Sequence, residues 1–113
     1  MNEKVLSILG LAKKAGKIMS GTNLVSTFIR SDNKPALVIL AKDASENTKK
    51  LIQAAGRHHK VSICTTDFSM DQLSDAIGAS YYISCIAVLD KGFADLIESK
   101  LDEREKKEQL QGV

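Results

Sequence analysis

The chain has 113 residues, 43% of them hydrophobic and 27% charged, which suits one core under a solvated shell and excludes both wholesale disorder and two comfortable domains. No run approaches the roughly 18 apolar residues of a membrane-spanning helix. The net charge of +2 conceals a division, because residues 1–60 hold eleven Lys/Arg against four Asp/Glu and residues 61–113 hold five against ten. A basic half of this kind focuses positive potential and suits a polyanion, while the plainer reading is a helical face kept soluble by lysine.

Met1-Asn2-Glu3-Lys4 lacks the apolar region of a secretory signal, so a cytoplasmic protein is expected. Val5, Ile8, Leu9 and Ala12 recur at helical spacing, with Asn2 able to cap the start and Gly16 placed as a stop, giving a helix over residues 3–15. Gly10 within it costs about 1 kcal/mol against alanine and marks a close helix contact. Lys17–Ser20 reads as a short edge strand. Leu24, Val25, Phe28 and Ile29 form the apolar stripe of a second helix ending near Ser31, and Asp32-Asn33-Lys34-Pro35 supplies a turn. The unbroken apolar run Ala36–Ala41 is a buried central strand.

Asp43 and Glu46 are spaced as a capping box before a third helix over residues 44–59, whose apolar face holds Thr48, Leu51, Ile52 and Ala55. Val61–Thr65 alternates as a strand, and strand, helix, strand in close succession implies a right-handed crossover between parallel neighbours. Ser69 and Gln72 form a second capping box with Phe68 and Leu73 as its hydrophobic staple, and Gly78 closes this short fourth helix. Tyr82–Leu89 is a further apolar strand. Asp90 caps a last helix that turns Ala94, Ile97 and Leu101 inward. Residues 1–101 are therefore read as a single domain and residues 102–113 as a charged, frayed tail. Cys64 and Cys85 each sit in an apolar run and are read as core residues, not as a disulfide or zinc pair.

Strands apolar on both faces need helices on both sides, so the expected fold is α/β, a three-layer α/β/α sandwich. In such a sheet, ligands gather beyond the carboxyl ends of the strands, where helix N-termini also lie. Three loops are candidates. In Ser20-Gly21-Thr22-Asn23, helix N-terminal amides suit a phosphate, Gly21 permits close approach and Asn23 can pair with a base edge; an ordinary helix cap is the plain alternative. Ala41–Ser45 places Lys42 for a backbone phosphate, and Lys49, Lys50, Arg57 and Lys60 follow on a helix where such a charge run is more often a solvated face than a functional one. Ile77-Gly78-Ala79-Ser80 is an apolar tip that would lie against an unstacked base or simply pack.

Enzymatic arrangements are weak. His58 and His59 are adjacent at a helix end and cannot share one metal as the histidines of HExxH do, and no P-loop or GxSxG pattern is present. Asp71 and Asp75 form a common type of exposed i,i+4 pair. Phe28, Phe68, Tyr81, Tyr82 and Phe93 do not alternate along a strand, which disfavours a sheet that stacks single-stranded bases. Neither catalysis nor a cofactor or metal is expected.

In combination, Leu9–Lys17 followed by Ser20-Gly21, the turn Gly21-Thr22-Asn23, the stretch Leu37–Lys50 and Ala76-Ile77-Gly78 resemble the kink-turn-binding L7Ae/L30e ribosomal protein family in order and spacing. Within that family the similarity is greatest to the small bacterial YlxQ group, and it extends over residues 3–100. The resemblance implies that the sandwich holds a four-stranded mixed sheet and that the partner is structured RNA, ribosomal RNA included, with no membrane or cofactor. Family members grip a sharply bent internal loop flanked by tandem sheared G·A pairs. By position, the resemblance implies guanine-edge reading by Gly21, Thr22 and Asn23 and backbone contact at Lys42 and Asp43. It likewise implies cover of extruded bases by Ile77, Gly78, Ala79 and Ser80. Lys13, Lys14 and Lys17 are added from charge and proximity in sequence.

The chain departs from the family pattern at Leu24 and Thr27, where strong kink-turn binders carry Glu and Lys, and at Met70 and Tyr81, where basic residues are usual. Every cation missing from a phosphate flattens the salt dependence of binding by about 0.9 on duplex-like RNA. The expected function is noncatalytic RNA binding. The alternatives are a protein-interaction module of the same fold and the recognition subunit of an RNA-modifying enzyme.

Overall fold

A computed structural model describes residues 3–101. In chain order they form α1 (Glu3–Lys14), β1 (Ile18–Ser20), α2 (Thr22–Ile29), β2 (Leu37–Leu40), α3 (Glu46–His59), β3 (Ile63–Thr65), α4 (Met70–Ile77), β4 (Cys85–Val88) and α5 (Lys91–Lys100). The strands make one sheet in the order β1-β4-β2-β3. β4 is antiparallel to both β1 and β2, and β2 is parallel to β3, with Leu40 opposite Cys85 on one side and Thr65 on the other.

The alternation of β2 shows why helices are needed on both faces. Leu37 and Ile39 pack into a core with Val5, Leu9, Leu73 and Ile97 of α1, α4 and α5. Val38 and Leu40 point the other way, onto Val25, Ile29 and Ile52 of α2 and α3. The result is the expected three-layer α/β/α sandwich around a mixed sheet. Among the described residues no helix is long and apolar enough to cross a membrane. Cys64 and Cys85 are both fully buried, and burial pushes the Cys85 thiol up to about 11, against the opposing hydrogen bonds of Ser84 and Thr22.

Local signals set most element ends. Gly16 takes a left-handed φ of 72° after α1, and the Lys17 amide donates back to the Ala12 carbonyl at 2.9 Å. A Cβ on Gly10 would stand 3.1 Å from the Ala76 carbonyl oxygen, which accounts for a glycine where α1 crosses α4. Ser69 and Gln72 make the reciprocal capping box that opens α4, Gly78 closes that helix at φ 69°, and Asp90 accepts from the Phe93 amide at 2.9 Å to cap α5. Ser69→Ala is expected to lower stability by about 1 kcal/mol, read by thermal or chemical denaturation, because the Gln72 amide loses its acceptor.

Some expectations are corrected. The cap of α3 is Ser45, which accepts from the Thr48 amide at 3.1 Å, while the Asp43 carboxylate accepts from the Met70 amide at 2.8 Å and so caps α4 from another loop. Leu24 and Leu51 are each 44% exposed, so the buried stripes of α2 and α3 are narrower than their apolar residues suggest. β4 begins at Cys85 instead of Tyr82, since pairing with β2 starts there and the Ala41 amide closes the ladder onto the Ser84 carbonyl. Tyr82 is thereby left outside the sheet. The Asn2 cap and the frayed tail at 102–113 lie outside the described residues.

Candidate nucleic-acid interface

Strands β1, β2 and β3 end, and β4 begins, at one rim of the sheet. Gly21 leaves β1 with φ 99° and ψ 142°, its amide donating to the Cys85 carbonyl at 3.1 Å and its carbonyl accepting from the Val25 amide at 2.9 Å to start α2. The Thr22 and Ser84 hydroxyls lie 2.9 Å apart and tie this turn to β4. Asn23 is exposed, and its side-chain amide has no hydrogen bond among the described residues.

The loop after β2 is held from several sides. The Ala41 amide donates to Ser84, the Lys42 amide to the Phe68 carbonyl at 2.8 Å, and the Lys49 ammonium to the Lys42 carbonyl at 2.8 Å. Thr66, buried at the exit of β3, donates to the Leu40 carbonyl at 3.1 Å and accepts from the Phe68 amide at 3.2 Å. Lys42 therefore presents an exposed ammonium from a fixed backbone. With the Asp43–Met70 bond, the loops that follow β2 and β3 form one laced surface beside Gly21 and Asn23.

The third candidate loop divides between two grooves along α4. The Ser74 hydroxyl meets the carbonyls of Ala79 and Tyr81 and draws the chain against the helix. Ala79 and Ser80 thus line a groove of about 450 Å³ together with Asp71, Asp75, Tyr81 and Tyr82. Ile77 and Gly78 line a neighbouring groove of about 530 Å³ with Lys13 and Lys14 of α1, the two meeting at Asp75. Lys17 is at the opposite end of the sheet, where its carbonyl accepts from the Leu89 amide at 2.9 Å, so sequence proximity to Gly21 does not bring it to the rim. Among the described residues no cluster of three His, Cys, Asp or Glu could hold a metal ion.

Sequence reasoning passed over Tyr81 and Tyr82 as ligand residues. They are 63% and 73% exposed on the loop into β4, where an aromatic ring is available to a flat partner. The signal was the polar Ser80 and Ser84 around them, which sets the pair apart from the apolar run that becomes β4.

The model of the ribosomal protein L7Ae/L30e/S12e/Gadd45 family matches residues 3–98. The chain belongs to this family. It is 35% identical over 92 residues to the RNA-binding protein YlxQ of Enterococcus faecium, spanning 81% of this chain and 85% of that one. It is 38% identical over 95 residues to the RNA-binding protein YlxQ of Bacillus subtilis (strain 168), spanning 84% and 92%. A solved structure of a protein with unknown function from Bacillus halodurans C superposes with a TM-score of 0.81 at 30% identity, covering 88% of this chain and 98% of that one.

For this L7Ae/L30e family chain, the departures noted in the sequence fall on or near the rim and grooves. Leu24 stands exposed beside Asn23, and the Thr27 hydroxyl donates to the Asn23 carbonyl one turn back at 2.9 Å. The Met70 amide is taken by Asp43.

Proposed function

We propose that this protein is a noncatalytic RNA-binding protein of the cytoplasm, associated with ribosomal RNA, that recognises sharply bent, kink-turn-like RNA at the rim. The observation that carries this reading is the gathering of Gly21, Thr22, Asn23 and Lys42 by three strand ends into one surface, with the Asn23 amide and the Lys42 ammonium both outward. Family membership and the RNA-binding relatives support the ligand class.

The mechanism follows from charge and geometry. The first-turn amides of α2 lack intrahelical acceptors and sit at the positive end of the helix dipole, so they favour a negative or carbonyl-rich edge. Asn23 offers a donor and an acceptor together, the pattern needed to pair with a base edge. Bending crowds phosphates, and the Lys42 ammonium offsets that repulsion only in the bent conformer, so binding shifts the RNA population toward the bend. In this reading Ile77, Gly78, Ala79 and Ser80, which line the two grooves along α4, would cover extruded bases, and Tyr81 and Tyr82 would add ring faces.

Titration of a panel of folded RNAs at low ionic strength tests the reading, and the absence of any saturable complex would remove it. Asn23→Ala is expected to weaken binding to a kink-turn RNA by about 1–3 kcal/mol, and an unchanged Kd with intact folding would take Asn23 out of the interface. Lys42→Ala is expected to weaken all RNAs alike and to reduce the slope of log K against log salt by about 0.9. A loss confined to one RNA sequence would contradict a phosphate role for Lys42.

A further inference from the structure

The end of the molecule opposite the rim holds a second concentration of positive charge. α2 runs eight residues away from Gly21 and α3 fourteen residues away from Ser45, so at about 1.5 Å per residue they finish on the order of 12 and 21 Å from their starts. Arg30 follows α2, Lys34 lies in the next loop, and His58, His59 and Lys60 end α3. The closeness of these groups is felt at His59. Partial burial, and then the charges of His58, Lys34 and Arg30, hold its imidazole below its ordinary pKa. The rings of His58 and His59 meet edge to face at 4.8 Å.

The cluster is short of counter-charge. Asp32 is the carboxylate of the connecting loop, and neither it nor Arg30, Lys34 or Lys60 forms an ion pair among the described residues. Among the described residues the Lys34 ammonium donates only to the Ser31 carbonyl, at 2.8 Å. One cation at a helix C-terminus is favourable by fractions of a kcal/mol, which gives a structural reason for one basic residue per helix end. Cations converging from the end of α2, the loop after it and the end of α3, with Asp32 the one carboxylate in those segments and in no ion pair with them, repel one another in the free protein, and a polyanion relieves that repulsion.

We propose that this far end, with the cations Arg30, Lys34 and Lys60 beside His58 and His59, is a second RNA-backbone site, so that one molecule holds two RNA segments at once. The inference rests on the rim as the first RNA site. Its ligand is a run of phosphates with no base reading, of the kind a regular RNA duplex presents. The molecule measures 30 × 28 × 27 Å, so the two RNA segments would be held about one protein diameter apart.

The test uses the full chain with an immobilised kink-turn hairpin and a labelled RNA duplex of about 20 base pairs that has no internal loop. The wild type is expected to retain the duplex on the hairpin. Arg30→Gln with Lys34→Gln should bind the hairpin with unchanged affinity, lose about tenfold or more of the retained duplex, and show a duplex salt slope lower by about 1.8, at 0.9 per phosphate. The charge-preserving pair Arg30→Lys with Lys34→Arg should bridge normally. Asn23→Ala should bind the hairpin about 5- to 150-fold more weakly and bind the duplex in solution as wild type does. Should the double variant melt early, Lys60→Asn serves in its place with half the change in slope, about 0.9, because asparagine suits the left-handed backbone there, φ 59°. A neutralised far end that bridges like wild type would overturn this proposal and leave the rim reading standing. Equal loss of hairpin and duplex by the folded double variant would overturn it as well, and a wild type that binds neither RNA would remove both.

Discussion

Gly21→Asn is expected to cost about 1–3 kcal/mol of stability and to weaken RNA binding with it, whereas Gly16→Asn is expected to melt close to wild type. Both glycines have positive φ, and a Cβ at either would meet nothing within 4 Å, so the difference lies in the backbone alone. Gly16, at φ 72°, ends a helix in the left-handed region that asparagine tolerates. Gly21 combines φ 99° with ψ 142°, outside that region, where a side chain is strained whatever its type. Relaxing the strain means rotating the peptide that binds Cys85 or the carbonyl that starts α2, and either motion displaces Thr22 and Asn23. Thermal melts of the two variants beside an RNA titration check the pair. Equal melting temperatures would show that the turn relaxes without cost and that Gly21 is not what shapes the rim.

Gly56→Val is expected to destabilise the protein by about 3 kcal/mol, the upper end of ordinary overpacking. A Cβ on Gly56 would stand 2.3 Å from Ile63 Cγ1, 2.7 Å from its Cδ1 and 3.0 Å from the Val61 carbonyl oxygen. Ile63 is only 3% exposed and is packed among Val25, Val38, Leu40 and Ile52, so it has no free direction in which to yield. The Val61 carbonyl is backbone, in the turn where the Val61 amide donates to Gly56 at 2.9 Å, so the clash also opens the connection from α3 to β3. At about 4–8 °C per kcal/mol for a domain of this size, the melting temperature should fall by more than about 10 °C. Gly56→Ala should fall less, since better helix propensity returns about 1 kcal/mol.

The elements most legible in the sequence were those whose signals are local. β2 was readable because a strand covered on both faces needs an unbroken apolar run, and α4 because Ser69, Gln72 and Gly78 state its start and stop within ten positions. What could not be read locally was decided by partners far along the chain. Asp43 and Ser45 are both capping residues two positions apart, and only the approach of Met70 assigns them to different helices. The start of β4 depends on where Leu40 runs out of pairing, so Tyr82 looked like strand and stands in solvent. Gly56 carries no hydrophobic signal although it packs against Ile63.

The candidate site was legible to the same degree and for the same reason. The turn at Gly21 and the loop at Lys42 were identified from motif and strand order, and the parallel pairing of β2 with β3 joins the laced loops beside them. Lys17 was misplaced because nearness in sequence says nothing across a strand that carries the chain to the other end of the sheet. The basic half of the chain was visible as a count, but its division between the rim and the far end of α2 and α3 required knowing which way those helices run.

The lacing of the loops after β2 and β3 bears on kinetics as well as on shape. With Lys42 pinned through both its amide and its carbonyl, and Asp43 latched to α4, the surface is set before any ligand arrives, and little loop entropy would be lost on docking the proposed RNA. If the rim binds bent RNA as proposed, the slow partner in the encounter is then the nucleic acid. Capture would run at the pace at which the RNA folds itself into the bend, so a transcript pre-bent by divalent cations should associate faster than a straight one while dissociating at a similar rate.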